Sequence, residues 1–162
     1  MASKHLFAAS ELGLFEALGE GPADLDGLAA RTGLTRRTAR ISADAMVAIG
    51  LLDRHGDRYA NSPVSATFLS GGTPADLRPL LRFWDRLSYP AWEDLAGALG
   101  RGRPAHEIVE IDDELVPVMS AGIAAATAAA ARALPEVAGL PAASRVLDVG
   151  GGVEELGLAQ RP

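Results

Sequence analysis

Cysteine is missing entirely from the 162 residues. That excludes a disulfide scaffold, a cysteine-ligated zinc site and a thiol nucleophile. Aromatic residues make up only 5% of the chain, so any cluster of them stands out. Basic residues are in the minority, 15 Lys and Arg against 21 Asp and Glu, for a net charge of −6. An acidic total disfavours a broad nucleic-acid surface, although charge can be local. No apolar run reaches the ~18 residues of a bilayer-spanning helix, so no membrane span and no membrane partner are expected. Met1-Ala2-Ser3-Lys4-His5 carries one lysine and soon reaches Glu11, unlike a secretory signal. Three histidines, His5, His55 and His106, lie far apart without metal-type spacing, and no Ser/His/Asp arrangement suggests itself. What is present, 48% hydrophobic with 22% charged residues, fits a folded chain of about one domain. The expectation is a soluble cytoplasmic domain with no metal.

Local signals are dense in the first sixty residues. Residues 4–19 read as one helix with Phe7, Leu14 and Leu18 on a stripe, stopped by Gly19 and Gly21-Pro22. Asp24 caps a second helix over residues 25–32, ended by Gly33, and Thr35 caps a third over 36–49, ended by Gly50. Ala39, Ala43, Met46 and Val47 share a face of that third helix. Leu51-Leu52-Asp53-Arg54 and Arg58-Tyr59-Ala60-Asn61 read as strands around the turn His55-Gly56-Asp57. Two short helices followed by a small hairpin form the pattern of a winged helix-turn-helix. Downstream, Ser62-Pro63 is a cap with proline at the first helical position, and Thr73-Pro74 repeats it before a helix over 75–87. Further helices are expected at 91–99 and, very rich in alanine, at 120–134, with Pro117 kinking or restarting the chain before the latter. The alanine helix suits either a close helix–helix interface or an ordinary internal position. After a connector, Arg145 to Val149 reads as a buried strand running into Gly150-Gly151-Gly152.

Three constellations carry candidate chemistry. Asp148, Gly150 and Gly152 look like the first turn of a nucleotide-type βα unit, where glycine lets a backbone approach a ligand. Glu154 and Glu155 follow at once and remove the permissive geometry, so this turn is read as a motif remnant that binds nothing. Arg31, Arg36, Arg37, Arg40, Arg54 and Arg58 oppose only Asp44, Asp53 and Asp57. They present either a DNA-reading helix or a solvated face with local ion pairs. Trp84, Tyr89 and Trp92 cluster, and with Met119 and Ile123 they form either a pocket for a flat ligand or ordinary core.

The order of several motifs resembles the S-adenosylmethionine-dependent small-molecule O-methyltransferases. Leu12-Gly13-Leu14-Phe15-Glu16-Ala17-Leu18 resembles that family's opening helix, and Leu28-Ala29-Ala30-Arg31-Thr32-Gly33 its second. Gly50-Leu51-Leu52 through Tyr59 resembles its hairpin, and Val146-Leu147-Asp148-Val149-Gly150-Gly151-Gly152 its first cofactor motif. The family's Gly-Gly-Gly-x-Gly pattern breaks here at Gly152-Val153-Glu154. The resemblance implies a mainly α, winged-helix-like dimerisation domain with a small β-hairpin, ending in a remnant of the first Rossmann strand. It places dimerisation and acceptor binding in residues 1–134, and a connector plus a shortened start of the methyltransferase domain in 135–162. It implies S-adenosylmethionine as the parent family's cofactor, with none bound by this chain, and no catalytic residue. Trp84, Tyr89, Trp92, Met119 and Ile123 are the implied acceptor-pocket residues for a small aromatic or polyketide-type compound. The implied partner is a second copy, or a full-length methyltransferase that this chain would assist as a non-catalytic helper. A DNA-binding winged-helix regulator is the remaining alternative.

Overall fold

The computed structural model describes residues 2–102 and 112–139. The chain opens with α1 (Ala2–Glu11) and α2 (Leu14–Gly19) instead of one helix over 4–19. Gly13 separates them with φ of 71°, a left-handed conformation that costs glycine nothing. α1 buries Phe7 and Ala9, while α2 buries Leu14, Phe15, Ala17 and Leu18. Re-aiming the chain at Gly13 puts the four α2 side chains into the core.

The next two helices start and stop where the caps predict. In α3 (Leu25–Thr32) the Asp24 carboxylate accepts the Gly27 N–H at 2.8 Å. In α4 (Arg36–Ala48) the Thr35 hydroxyl accepts the Thr38 N–H at 3.2 Å. Buried Ala39, Ala43 and Met46 let α4 lie close against its neighbours. The hairpin β1 (Leu52–His55) and β2 (Arg58–Asn61) is antiparallel, with Leu52 opposite Asn61 and His55 opposite Arg58. Ala23 and Tyr59 exchange backbone hydrogen bonds of 3.0 and 2.8 Å, tying the segment before α3 to the wing. Asn61 donates to the Phe15 carbonyl at 2.8 Å, so the wing is also anchored to α2.

Tyr59 is fully buried and donates its hydroxyl to Asp44 at 2.7 Å. Burial, the hydrogen bond and the Asp44 charge raise its pKa above the usual 10.0, against the pull of Arg54 and Arg40. An acid whose folded pKa lies above its unfolded value contributes fully below the unfolded value and loses that contribution as pH rises through the folded one. Stability is therefore expected to fall as pH climbs past 10.0, the unfolded value of Tyr59. Urea titrations on either side of that pH should show a smaller drop in Tyr59→Phe than in the parent chain. Equal drops in both proteins would contradict the assignment.

Beyond the wing, α5 (Pro63–Phe68) is capped by Ser62 with Pro63 in its first turn. The helix expected over 75–87 starts later, as α6 (Arg78–Phe83). The Thr73 hydroxyl accepts from Ala75 N–H at 3.2 Å and donates back to the Thr67 carbonyl, and Asp76 takes the Arg78 N–H at 3.1 Å. A π-helical turn, Trp84–Ser88, follows, then the single turn α7 (Tyr89–Ala91). Pro90 lies just past the widened turn; it has no N–H to give and its ring crowds the carbonyl four residues back, which disfavours a regular α-helical hydrogen bond at that point. The helix expected at 91–99 is α8 (Leu95–Arg101). The alanine-rich segment is α9 (Val116–Val137), with Pro117 in its opening turn rather than at a kink. It extends three residues past the boundary expected at 134. At 22 residues, α9 is long and apolar enough by length and composition to cross a bilayer. Alanine supplies much of that apolarity, and α9 is docked along α6.

The core gathers Leu14, Phe15, Leu18, Leu28, Met46, Leu52 and Tyr59 from α2, α3, α4 and the wing. The result is a winged-helix module, residues 2–69, followed by a helical extension in which α6 and α9 pair.

Candidate functional site

The aromatic cluster expected from sequence lies on the extension, but its members do different things. Tyr89 meets Phe7 of α1 edge-on, with ring centroids 5.3 Å apart and planes at 88°. The Lys4 ammonium sits 4.9 Å from the Tyr89 ring centroid. Tyr89 therefore helps fasten the extension to the module. Trp84 and Trp92 are exposed, at 49% and 63% of their surface. Ile123 is exposed on α9, while Met119 is half-buried one helical turn earlier.

A cleft of about 390 Å³ opens between α1 and α2 on one side and α6 with the start of α9 on the other. None of the five expected pocket residues lines it. Its apolar wall comes from Phe7, Leu81, Pro117 and Val118, and its polar wall from Glu11, Glu16, Asp76, Arg78 and Arg82. Sequence reading missed these residues because the pairs that build the cleft join positions about sixty to eighty apart. The only local trace was the recurrence Arg78, Arg82, Arg86 at helical spacing, which marks a basic stripe without naming its partner.

Arg78 is the centre of the polar wall. Its guanidinium grips Asp76 with contacts of 2.8, 2.9 and 3.1 Å and also pairs with Glu16 of α2. The Asp76 hydrogen bond raises the Arg78 pKa, burial opposes this, and Glu16 raises it further. Burial works against ionising Asp76, but two hydrogen bonds and the charge of Arg78 hold its carboxyl below the usual 3.8. Gly71, at φ of 78°, leaves space for this cluster, since a Cβ there would overlap the Arg78 guanidinium.

Among the described residues no group of His, Asp and Glu is arranged to hold a metal ion. His5 and His55 are exposed. Asp148, Gly150, Gly152 and His106 lie outside the described residues. The basic stretch is largely consumed by the fold. Arg31 donates to the Ala17 and Gly21 carbonyls at 2.9 and 2.8 Å, and Arg58 to the Pro22 carbonyl at 2.6 Å. Arg36 pairs with Asp26 at 2.8 Å and Arg54 with Asp44 at 3.5 Å. In the described cleft the guanidinium groups of Arg78 and Arg82 are paired with carboxylates, and no histidine among the described residues lines it.

Known proteins share this sequence and shape. The family model described as the O-methyltransferase dimerisation domain matches residues 1–71. Acetylserotonin O-methyltransferase of Mus musculus is 39% identical over 109 residues, covering 64% of this chain and 28% of that protein. The 3-hydroxy-5-methyl-1-naphthoate 3-O-methyltransferase of Streptomyces sahachiroi is 32% identical over 153 residues, 91% of this chain and 44% of that protein. The solved structure of PigF with SAH superposes with a TM-score of 0.74 at 28% identity, over 97% of this chain and 50% of that one. The chain thus spans less than half the length of these two curated relatives.

Proposed function

Given that this chain belongs, through residues 1–71, to the O-methyltransferase dimerisation-domain family, we propose that it is the dimerisation and acceptor-recognition portion of an S-adenosylmethionine-dependent O-methyltransferase acting on a small aromatic natural product. The carrying observation is α9. Over 22 residues it buries only Gly122, while Ile123, Leu134 and Val137 face outward. A helix of this length that leaves its apolar side uncovered is satisfied by a second copy of the chain. An aromatic acceptor is favoured by the hydroxynaphthoate in the name of the Streptomyces relative. Trp84, Tyr89, Trp92, Met119 and Ile123 remain the proposed acceptor residues, carried on the extension. Residues 1–134 are proposed as the dimerisation and acceptor unit, and 135–162 as the connector leading into the donor-binding part.

Residues 1–162 by themselves are proposed to bind no methyl donor, because Glu154 stands where the family's Gly-Gly-Gly-x-Gly motif has its last glycine. The DNA-binding alternative is weakened by the arginine partners, since four of the six basic side chains of that stretch are tied to carbonyls or carboxylates. The test combines light scattering with calorimetry. The purified chain is expected at twice its 16.8 kDa mass, with no heat of binding for S-adenosylmethionine. A monomer at micromolar concentration would overturn the dimer reading, and micromolar donor binding would overturn the proposed lack of it.

A further inference from the structure

We propose that α6, the π-helical turn and α9 form an arm docked on the winged-helix module by an antiparallel ladder of ion pairs, so that ionic strength controls how firmly the arm is held. Lys4 pairs with Asp85 at 2.5 Å, Glu11 with Arg82 at 3.0 Å and Arg86 at 3.9 Å, and Glu16 with Arg78. As the module side runs 4, 11, 16, the arm side runs back from 85 to 78. Every rung therefore joins α1 or α2 to the arm, and both signs occur on both sides, which fixes direction and register.

The apolar part of this joint is narrow. Phe7 meets Tyr89, and Leu81 rests on the module core. Between them lies the cleft of about 390 Å³, where a fully packed joint would have side chains. The contacts of α9 are chiefly with α6 and the π-helical turn, so α9 follows wherever α6 goes. The paired side chains are 28% to 57% exposed, which leaves them open to screening. The module is held chiefly by its apolar core, with Phe15, Leu28 and Met46 fully buried, and its own exposed pairs, Arg36–Asp26 and Arg54–Asp44, lie outside that core. Two glycines make the docked arm possible. Gly71 admits Arg78, and Gly122 admits Phe83 between α6 and α9.

This joint goes beyond the acceptor reading and stands whether or not the arm lines an acceptor site. Hydrogen exchange of the whole chain at about 0.05 M and about 1 M NaCl tests it, with the oligomeric state followed at both. Protection in α6 and α9 is expected to fall about tenfold relative to α3 and α4 at the higher salt, the combined effect of four modest pairs. Uniform change across module and arm, or no change, would overturn the proposal. So would a loss confined to α9 with α6 unaltered, which marks weakening between copies instead. Glu11→Arg is expected to loosen α6 and α9 already at low salt. Adding Arg82→Glu and Arg86→Glu is expected to restore them, and no restoration in a protein with intact α3 and α4 protection would overturn the ladder. Should Glu11→Arg fail to fold, the salt titration of the parent chain decides.

Discussion

Phe15→Ala is expected to destabilise the chain by about 3–5 kcal/mol, the largest effect of any single truncation considered. Phe15 is fully inaccessible and belongs to the same apolar cluster as Leu28, Met46, Leu52 and Tyr59. Its own carbonyl accepts from Asn61, so the backbone is pinned and relaxes poorly around the cavity. Domains of this size are stable by about 5–15 kcal/mol in all, so the loss removes a large share. In thermal unfolding the midpoint should drop by roughly 6–20 °C, and Phe15→Leu should recover most of it. A drop of less than a few degrees for the alanine variant would show that the wing and α2 do not share one core.

The second large effect is expected from Gly122→Leu. Replacing glycine within a helix ordinarily gains about 1 kcal/mol. Here a Cβ would run into the Phe83 side chain and come within 3.3 Å of the Pro79 carbonyl oxygen. Overpacking of this kind costs about 1–3 kcal/mol or more, so a net loss is expected despite the propensity gain. Because Gly122 is the one buried residue of α9, the loss should concentrate there. Protection of α9 amides should fall before that of α4, and dimer formation should weaken with it. An unchanged or raised melting temperature, with α9 protection intact, would mean that α6 and α9 do not meet at Gly122.

Most of the winged-helix module was legible in the sequence, and the reason is local. Asp24, Thr35 and Ser62 sit next to the N–H groups they cap, and Gly33 and Gly50 stop helices through their own backbone. The hairpin itself was legible, but its turn is the pair Gly56-Asp57 and not His55-Gly56-Asp57, because His55 pairs with Arg58 and so belongs to the strand. The split at Gly13 was less legible, because Leu12-Gly13 inside an apolar stripe satisfies a helical period as well as a break does. The break shows only in the tertiary fold, where α1 buries Phe7 and Ala9 and α2 buries Leu14, Phe15, Ala17 and Leu18.

The described cleft was not legible from the aromatic cluster. Trp84, Tyr89 and Trp92 lie outside its lining, with Tyr89 turned toward Phe7 and both tryptophans exposed. The cleft was invisible beforehand because its polar wall is made by partners such as Glu16 with Arg78 and Glu11 with Arg82. Each of those side chains, taken alone, looks like any solvated charge.

By itself the sequence determined the capped helices of the winged-helix module and the presence of its hairpin, since those depend on hydrogen bonds closed within a few residues, whereas the first strand pairs one residue later than its pattern suggests, over 52–55. Only the tertiary structure decided how α6 and α9 lie on that module, because pairing across the fold follows from which surfaces remain after the core has formed. The unburied face of α9 and the half-packed joint beneath α6 are what remained, and the proposed association and the salt-sensitive arm both rest on them.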